Sequence, residues 1–91
     1  NIGMVNMVDD GIVVYGTNWC GDCARVRFLF SHNRVPYRWV NIDHNKEGER
    51  FVLMVNKGLR SVPTILFADG SILVEPSNIE LLNKLKLNRK I

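Results

Sequence analysis

Cysteine is scarce: two in 91 residues, too few for the disulfide-dense scaffold of a small secreted domain. Wholly apolar runs are short, such as Phe28-Leu29-Phe30. None approaches the roughly 20 apolar residues of a membrane helix. The start of the chain lacks a basic stretch followed by an apolar one, so no secretory signal is expected. Seven glycines and three prolines are dispersed along the chain. No linker, repeat or low-complexity segment emerges from them. Charge of one sign is also missing: 12 Lys and Arg stand against 9 Asp and Glu, a net +3. The small basic cluster at Lys84, Lys86, Arg89 and Lys90 has no aromatic neighbour, so it reads as a solvated tail and not a nucleic-acid surface.

The composition, 46% hydrophobic and 23% charged, is that of a single globular domain. Residues 1–11 read as an N-terminal extension or the remnant of a tag, with Met4 or Met7 as the native start. Residues 12–87 form the domain and residues 88–91 a tail.

Ile12-Val13-Val14-Tyr15, stopped by Gly16, predicts a fully buried strand. Cys20 to Asn33 predicts a helix whose inner positions are Cys23, Val26, Leu29 and Phe30. Pro36 ends it and forces Val35 to be extended. Tyr37 to Ile42 predicts a second strand, parallel to the first through a right-handed crossover. Asn45 to Lys57 predicts a second helix with Phe51, Met54 and Val55 inward and Gly58 at its C-terminal cap. Thr64 to Phe67, the turn at Asp69-Gly70, and Ile72 to Val74 predict a hairpin. Ser77 and Glu80 match a capping box, opening a last helix with Ile79, Leu82 and Leu85 inward. The order is β-α-β-α-β-β-α: an α/β fold with a four-stranded mixed sheet, helices on both faces, and strands apolar on both sides.

Cys20-Gly21-Asp22-Cys23 stands where a buried strand gives way to a helix. In that setting C-x-x-C reads as a dithiol redox motif. The first helical turn presents unsatisfied N–H groups and the positive end of the helix dipole. A thiolate at Cys20 is stabilised there, and the thiolate is the nucleophile. Cys23, one turn on and closer to the core, is placed to attack a mixed disulfide at Cys20 and holds its proton more tightly. Asp22 in the same turn opposes the Cys20 thiolate, by about 0.6 kcal/mol at roughly 7 Å in water. Three other readings stay open. A mononuclear zinc site needs four ligands, and His32, nine residues from Cys23 on the same helix, is roughly 13 Å along its axis. An Fe–S cluster shared between two chains is the second. Two unpaired structural cysteines are the third.

Trp19-Cys20-Gly21-Asp22-Cys23 together with Ser61-Val62-Pro63 resembles the glutaredoxin family over nearly all of Ile12 to Leu85. The likeness is greatest to its mycoredoxin-like branch. Ile42-Asp43-His44-Asn45, Arg60-Ser61-Val62-Pro63-Thr64 and Phe67-Ala68-Asp69-Gly70-Ser71 match that branch in order and spacing. The resemblance implies a thioredoxin fold and a cis peptide before Pro63 that turns the Val62 backbone toward Cys20. It implies catalysis by Cys20 and Cys23 in thiol–disulfide exchange, and substrate contacts from Trp19, Arg60, Ser61, Val62, Pro63, Gly70 and Ser71. Gly21, Asp22 and Arg27 are expected to tune the site, whereas Tyr15, Trp39, His32 and His44 read as structural.

Glutaredoxins that use glutathione carry Lys at the position of Thr17 and Gly-Gly with Asp near Glu75-Pro76-Ser77. This chain lacks both. The pattern points to mycothiol over glutathione as co-substrate, although Asp22 replaces the branch's usual Tyr, and Ser61 its Thr. No bound cofactor and no metal are expected. The partners implied are a small thiol, disulfide-containing proteins and a flavoprotein reductase, with the protein a cytoplasmic monomer that touches neither nucleic acid nor membrane. A redoxin recharged directly by thioredoxin reductase is the alternative, but the Trp-Ser-Gly-Phe-Arg-Pro run typical of that group does not follow Val74.

Overall fold

A computed structural model describes residues 11–88. Strand β1 (Val13–Gly16) leads to helix α1 (Gly21–His32). Strand β2 (Arg38–Asn41) and helix α2 (Lys46–Val55) follow, then β3 (Thr64–Leu66), β4 (Ile72–Val74) and helix α3 (Asn78–Leu87). The sheet order is β2-β1-β3-β4, with β1 parallel to β2 and antiparallel to β3, and β3 antiparallel to β4. The predicted order and pairing are both observed. The expected N-terminal extension, apart from Gly11, and the basic residues Arg89 and Lys90 lie outside the described residues. Among the described residues no helix is long and apolar enough to cross a membrane.

Each helix starts where a side chain answers its free N–H groups. Cys20, Asn45 and Ser77 are the N-caps, and Ser77 with Glu80 completes the capping box. Such caps typically contribute about 1 kcal/mol each. The core packs α1 and α3 onto one face of the sheet: Val26, Leu29 and Phe30 meet Val14, Ile65, Leu81 and Leu85. Burying a side chain of this kind contributes about 1.5–3 kcal/mol. Helix α2 covers the other face, where the Phe51 ring packs tilted against Tyr15 with centroids 4.7 Å apart.

Three expectations about burial need correction. β1 is not buried on both sides: Val14 is sealed while Val13 and Tyr15 are only half-buried, because the α2 face is more thinly covered. Met54 is exposed and Val52 takes the inner position of α2. On α3, Ile79 is exposed, Leu82 is half-buried, and Leu81 and Leu85 fill the core. In both helices the apolar residues outnumber the inward positions, so spacing alone admits two registers.

Candidate active site

The site forms where β1 ends and β3 begins. Gly16 closes β1, a short loop carries Thr17, Asn18 and Trp19, and Cys20 caps α1. The Cys20 sulfur accepts the Cys23 N–H at 3.2 Å, so it stands in the field of the first helical turn. It is half-buried, whereas Cys23 is sealed at 1% exposure. Both thiols are free.

From the other side comes the loop before β3. The Val62–Pro63 peptide is cis, and the Val62 carbonyl lies 3.9 Å from the Cys20 sulfur. This loop is tied down from within. The Thr64 hydroxyl donates to the Ser61 carbonyl at 2.8 Å and accepts from the Asn56 side chain at 3.1 Å. Ser61 thus enters through its backbone.

Cys23 occupies a tight slot. A Cβ on Gly16 would come within 2.6 Å of its sulfur and 2.8 Å of the Trp39 ring. Glycine is needed here for close approach, not for an unusual backbone angle. Burial pushes the Cys23 thiol up to about 12. Cys20 as a neighbouring thiol and charge, with Asp22 farther off, reinforces the shift, while an N–H from Thr17 opposes it. Of the two sulfurs, Cys23 is the more buried, as its inward position on α1 predicts. At Gly21, a Cβ would meet nothing within 4 Å, so the approach to Cys20 is open on that side.

Beside the Cys20 loop runs a chain of side chains from elements far apart in sequence. The Trp19 indole, 71% exposed, donates to Asp43 at 2.9 Å. Asp43 also accepts from Arg60, whose Nε donates to Glu49 at 2.7 Å. The Arg60 guanidinium, followed by the Trp19 indole, holds the Asp43 carboxyl below the usual carboxylate range. Hydrogen bonding to Glu49, then to Asp43, strengthens the Arg60 cation. Asp43 and Glu49 were missed as site neighbours because they lie on other elements. Arg25, also missed, bonds the Asn78 side chain at 2.7 Å and the Pro76 carbonyl at 2.9 Å, and lies 3.5 Å from Asp22. It thereby joins α1 to the turn before α3.

Two expectations about site residues are overturned. Gly70 and Ser71 are not neighbours of Cys20. β3 runs antiparallel to β1, with Thr64 opposite Tyr15 and Leu66 opposite Val13. The turn after β3 is therefore at the far end of the sheet. There Asp69 accepts from the Ser71 hydroxyl at 2.6 Å and from Lys84 at 2.9 Å. Those contacts hold its carboxyl far below the ordinary value. Arg27 does not turn to the Cys20 sulfur either. Its guanidinium lies 4.0 Å over the Trp39 ring and bonds the Tyr37 hydroxyl at 3.2 Å. His32 stacks on Phe28. Among the described residues no group of three or more His, Cys, Asp or Glu could hold a metal ion.

The family model for Glutaredoxin matches residues 12–72. The chain belongs to the glutaredoxin family. A Mycobacterium tuberculosis (strain H37Rv) protein named among the glutaredoxins is 44% identical over 79 residues, 87% of this chain and 94% of that one. Mycoredoxin 1 of Corynebacterium glutamicum is 29% identical over 75 residues, covering 82% of this chain and 92% of its own. Among solved structures, a thioredoxin-like protein superposes with a TM-score of 0.67 at 27% identity, over 81% of this chain and 97% of that one. A buckwheat glutaredoxin–glutathione complex superposes at 0.66, over 98% and 84%, and its 23% identity speaks to the fold alone. This member of the family is a thiol–disulfide oxidoreductase with a thioredoxin-like α/β fold, as its sequence motifs implied.

Proposed function

We propose that Cys20 is the nucleophile of this oxidoreductase and Cys23 its resolving partner. The Cys20 thiolate attacks a disulfide R–S–S–R′, a bond forms between Cys20 and the sulfur of R, and R′ leaves as its thiolate. A second thiolate, from a small thiol or from Cys23 after loss of its proton, then attacks the mixed disulfide and releases R. Each step exchanges one sulfur–sulfur bond for another, so the electrons enter with the attacking thiol and no metal or organic cofactor takes part.

The observation that carries this reading is the placement of the Cys20 sulfur: half-exposed, capped by the Cys23 N–H, and 3.9 Å from the Val62 carbonyl. The Val62 N–H and carbonyl offer an extended substrate the pairing of an added strand, and Pro63 shapes that edge. The exposed Trp19 ring offers a stacking surface. Arg60 serves the site by tying its two loops through Asp43 and Glu49, more than by meeting a free anion. Asp22 and the open side at Gly21 complete the approach to the sulfur.

In this reading the small thiol is mycothiol and not glutathione. Thr17 in place of Lys and Glu75 in place of Gly support that choice, as does the likeness to a mycoredoxin. The protein acts as a monomer in a reducing cytoplasm, on proteins that carry a small thiol in mixed disulfide, and a flavoprotein reductase restores the thiol pool. The test is mass spectrometry of the Cys23→Ser protein after exposure to each oxidised thiol in turn. One added mycothiol on Cys20 is expected. A preference for glutathione, or no adduct at Cys20, contradicts the assignment.

A further inference from the structure

The Cys23 sulfur, the Trp39 ring and the Arg27 guanidinium meet beside the first turns of α1. A Cβ placed on Gly16 would stand 2.6 Å from the Cys23 sulfur and 2.8 and 2.9 Å from Cη2 and Cζ3 of Trp39. These distances share one origin, so the sulfur lies no more than about 5.5 Å from the outer edge of the ring, the range of a favourable sulfur–aromatic contact. The Arg27 cation lies over the face of the same ring, 4.0 Å from its centroid.

The sequence builds this arrangement from separate elements. Cys23 and Arg27 are four residues apart on α1, so they stand one turn apart on one side of it. Trp39 pairs with Val14 across the β1–β2 ladder. Val14 belongs to the core under α1, and the Trp39 ring packs against that core. Gly16 contributes no side chain, and the sulfur and the ring edge share the space a Cβ would fill. β2 is an edge strand and Trp39 is only half-buried, so the ring has strand neighbours on one flank alone. Arg27 supplies a cap. It forms no ion pair with a described residue; the ring and the Tyr37 hydroxyl, to which its Nε donates at 3.2 Å, hold it.

We infer that Arg27 and Trp39 are positioning residues that seal the Cys23 sulfur, so that it reacts with a mixed disulfide on Cys20 and not with disulfides from solution. Resting on the reading of Cys20 as nucleophile and Cys23 as resolving thiol, the seal fixes the order of their steps. With the seal closed, the Cys23 thiolate attacks Cys20–S–S–R, a Cys20–Cys23 bond forms, and R leaves as its thiolate. With the seal open, the same thiolate attacks R–S–S–R in solution, is capped by R, and is lost to Cys20. Cys23 is 1% exposed while Cys20 is half-buried. Burial is also the main cause of the raised Cys23 pKa of about 12, so loosening the ring frees the proton as well as uncovering the sulfur.

The test uses the Cys20→Ser protein, in which Cys23 is the one remaining thiol, treated with bis(2-hydroxyethyl) disulfide. The Cys23 thiolate displaces one mercaptoethanol thiolate and keeps the other half as a mixed disulfide, followed by mass spectrometry. Adding Arg27→Gln is expected to raise the rate about fivefold, the size of a lost cation–ring contact. Trp39→Phe, which removes the ring edge beside the sulfur, should raise it at least as much. Arg27→Lys, which keeps a cation on the ring, should stay within twofold of the Cys20→Ser protein. The faster rates should be nearly independent of urea below the unfolding transition, as for a local opening, and the rate–pH profile of Arg27→Gln should move to lower pH. A rate within twofold of Cys20→Ser alone in Arg27→Gln or in folded Trp39→Phe overturns the inference; if Trp39→Phe does not fold, the two Arg27 variants decide. An Arg27→Lys rate equal to that of Arg27→Gln also overturns it. So does a rise that climbs with urea as steeply as global unfolding, or a fall with Gln, because the cation would then act on the sulfur by charge. With both cysteines present, the same disulfide should convert the reduced protein to the Cys20–Cys23 disulfide. A protein that stops at the Cys20 adduct, or forms none, overturns the underlying reading instead.

Discussion

The Cys20 sulfur and the Val62 carbonyl oxygen lie 3.9 Å apart across 42 residues of sequence. β1 and β3 are antiparallel neighbours, so the residues after the end of β1 and those before the start of β3 lie at one end of the sheet. The loop that carries Cys20 and the loop that carries Val62 and Pro63 are thus positioned by the same strand pairing. Their side chains join them again through Trp19, Asp43 and Arg60.

Alkylation should distinguish the two thiols. Burial holds the Cys23 proton with a pKa of about 12, against 9.0 for a free thiol. Iodoacetamide at pH 8 is expected to modify Cys20 within minutes and leave Cys23 largely unmodified, as read by peptide mass spectrometry. Because the folded value is raised, Cys23 favours the folded reduced state fully below the unfolded value of 9.0. That advantage is lost as pH rises toward 12. Urea midpoints of the reduced protein should fall over this window, and those of Cys23→Ala should not fall for this reason. Equal labelling of both thiols contradicts the assignment.

Gly16→Ala is expected to destabilise the fold by about 1–3 kcal/mol. The added Cβ meets the Cys23 sulfur and the Trp39 ring well inside contact distance. Unfolding curves measure the loss, and a shift in emission in a Trp19→Phe background reports movement of Trp39. A Gly16→Ala protein as stable as wild type would mean that the slot is looser than described.

Asp43 should govern the Trp19 indole. Its folded carboxyl titrates below its unfolded value, chiefly because of Arg60. The contact is therefore kept above the ordinary Asp range near 3.9 and lost as pH falls through the lower folded value. Trp19 emission, read in a Trp39→Phe background, should change in that acid range. Asp43→Ala should show the acid-form spectrum already at neutral pH. An Asp43→Ala spectrum identical to wild type at pH 7 contradicts the hydrogen bond.

Thr17→Val is expected to stabilise the protein by about 1 kcal/mol. The Thr17 side chain is 1% exposed, and its hydroxyl finds no hydrogen-bond partner among the described residues. Such a group costs about 1–3 kcal/mol when left unsatisfied. Thermal unfolding should show a rise of about 4–8 °C. A fall would indicate a partner for that hydroxyl.

Much of this was legible in the chain because each element announces itself locally. The inner positions of α1, Cys23, Val26, Leu29 and Phe30, were all read correctly from their spacing, and the Ser77–Glu80 capping box fixed the start of α3. The inner faces of α2 and α3 were harder. Phe51 to Val55 is a continuous apolar run, and α3 offers Ile79, Leu81, Leu82 and Leu85, so more residues qualify than the sheet can bury. At the site, the two cysteines and the Val62–Pro63 loop were visible as motifs. Gly70 and Ser71 were misplaced because the motif gives their order but not the strand direction that carries them to the far end. The Trp19–Asp43–Arg60–Glu49 chain spans four segments, and no spacing rule reaches across them.

If exchange begins at the Cys20 sulfur, the rate at which Cys20→Ser reduces a protein–mycothiol mixed disulfide reports it without an intermediary. A loss of at least about a thousandfold relative to wild type is expected, as for removal of an essential nucleophile, with the fold intact by circular dichroism. Reduction at the wild-type rate would contradict it.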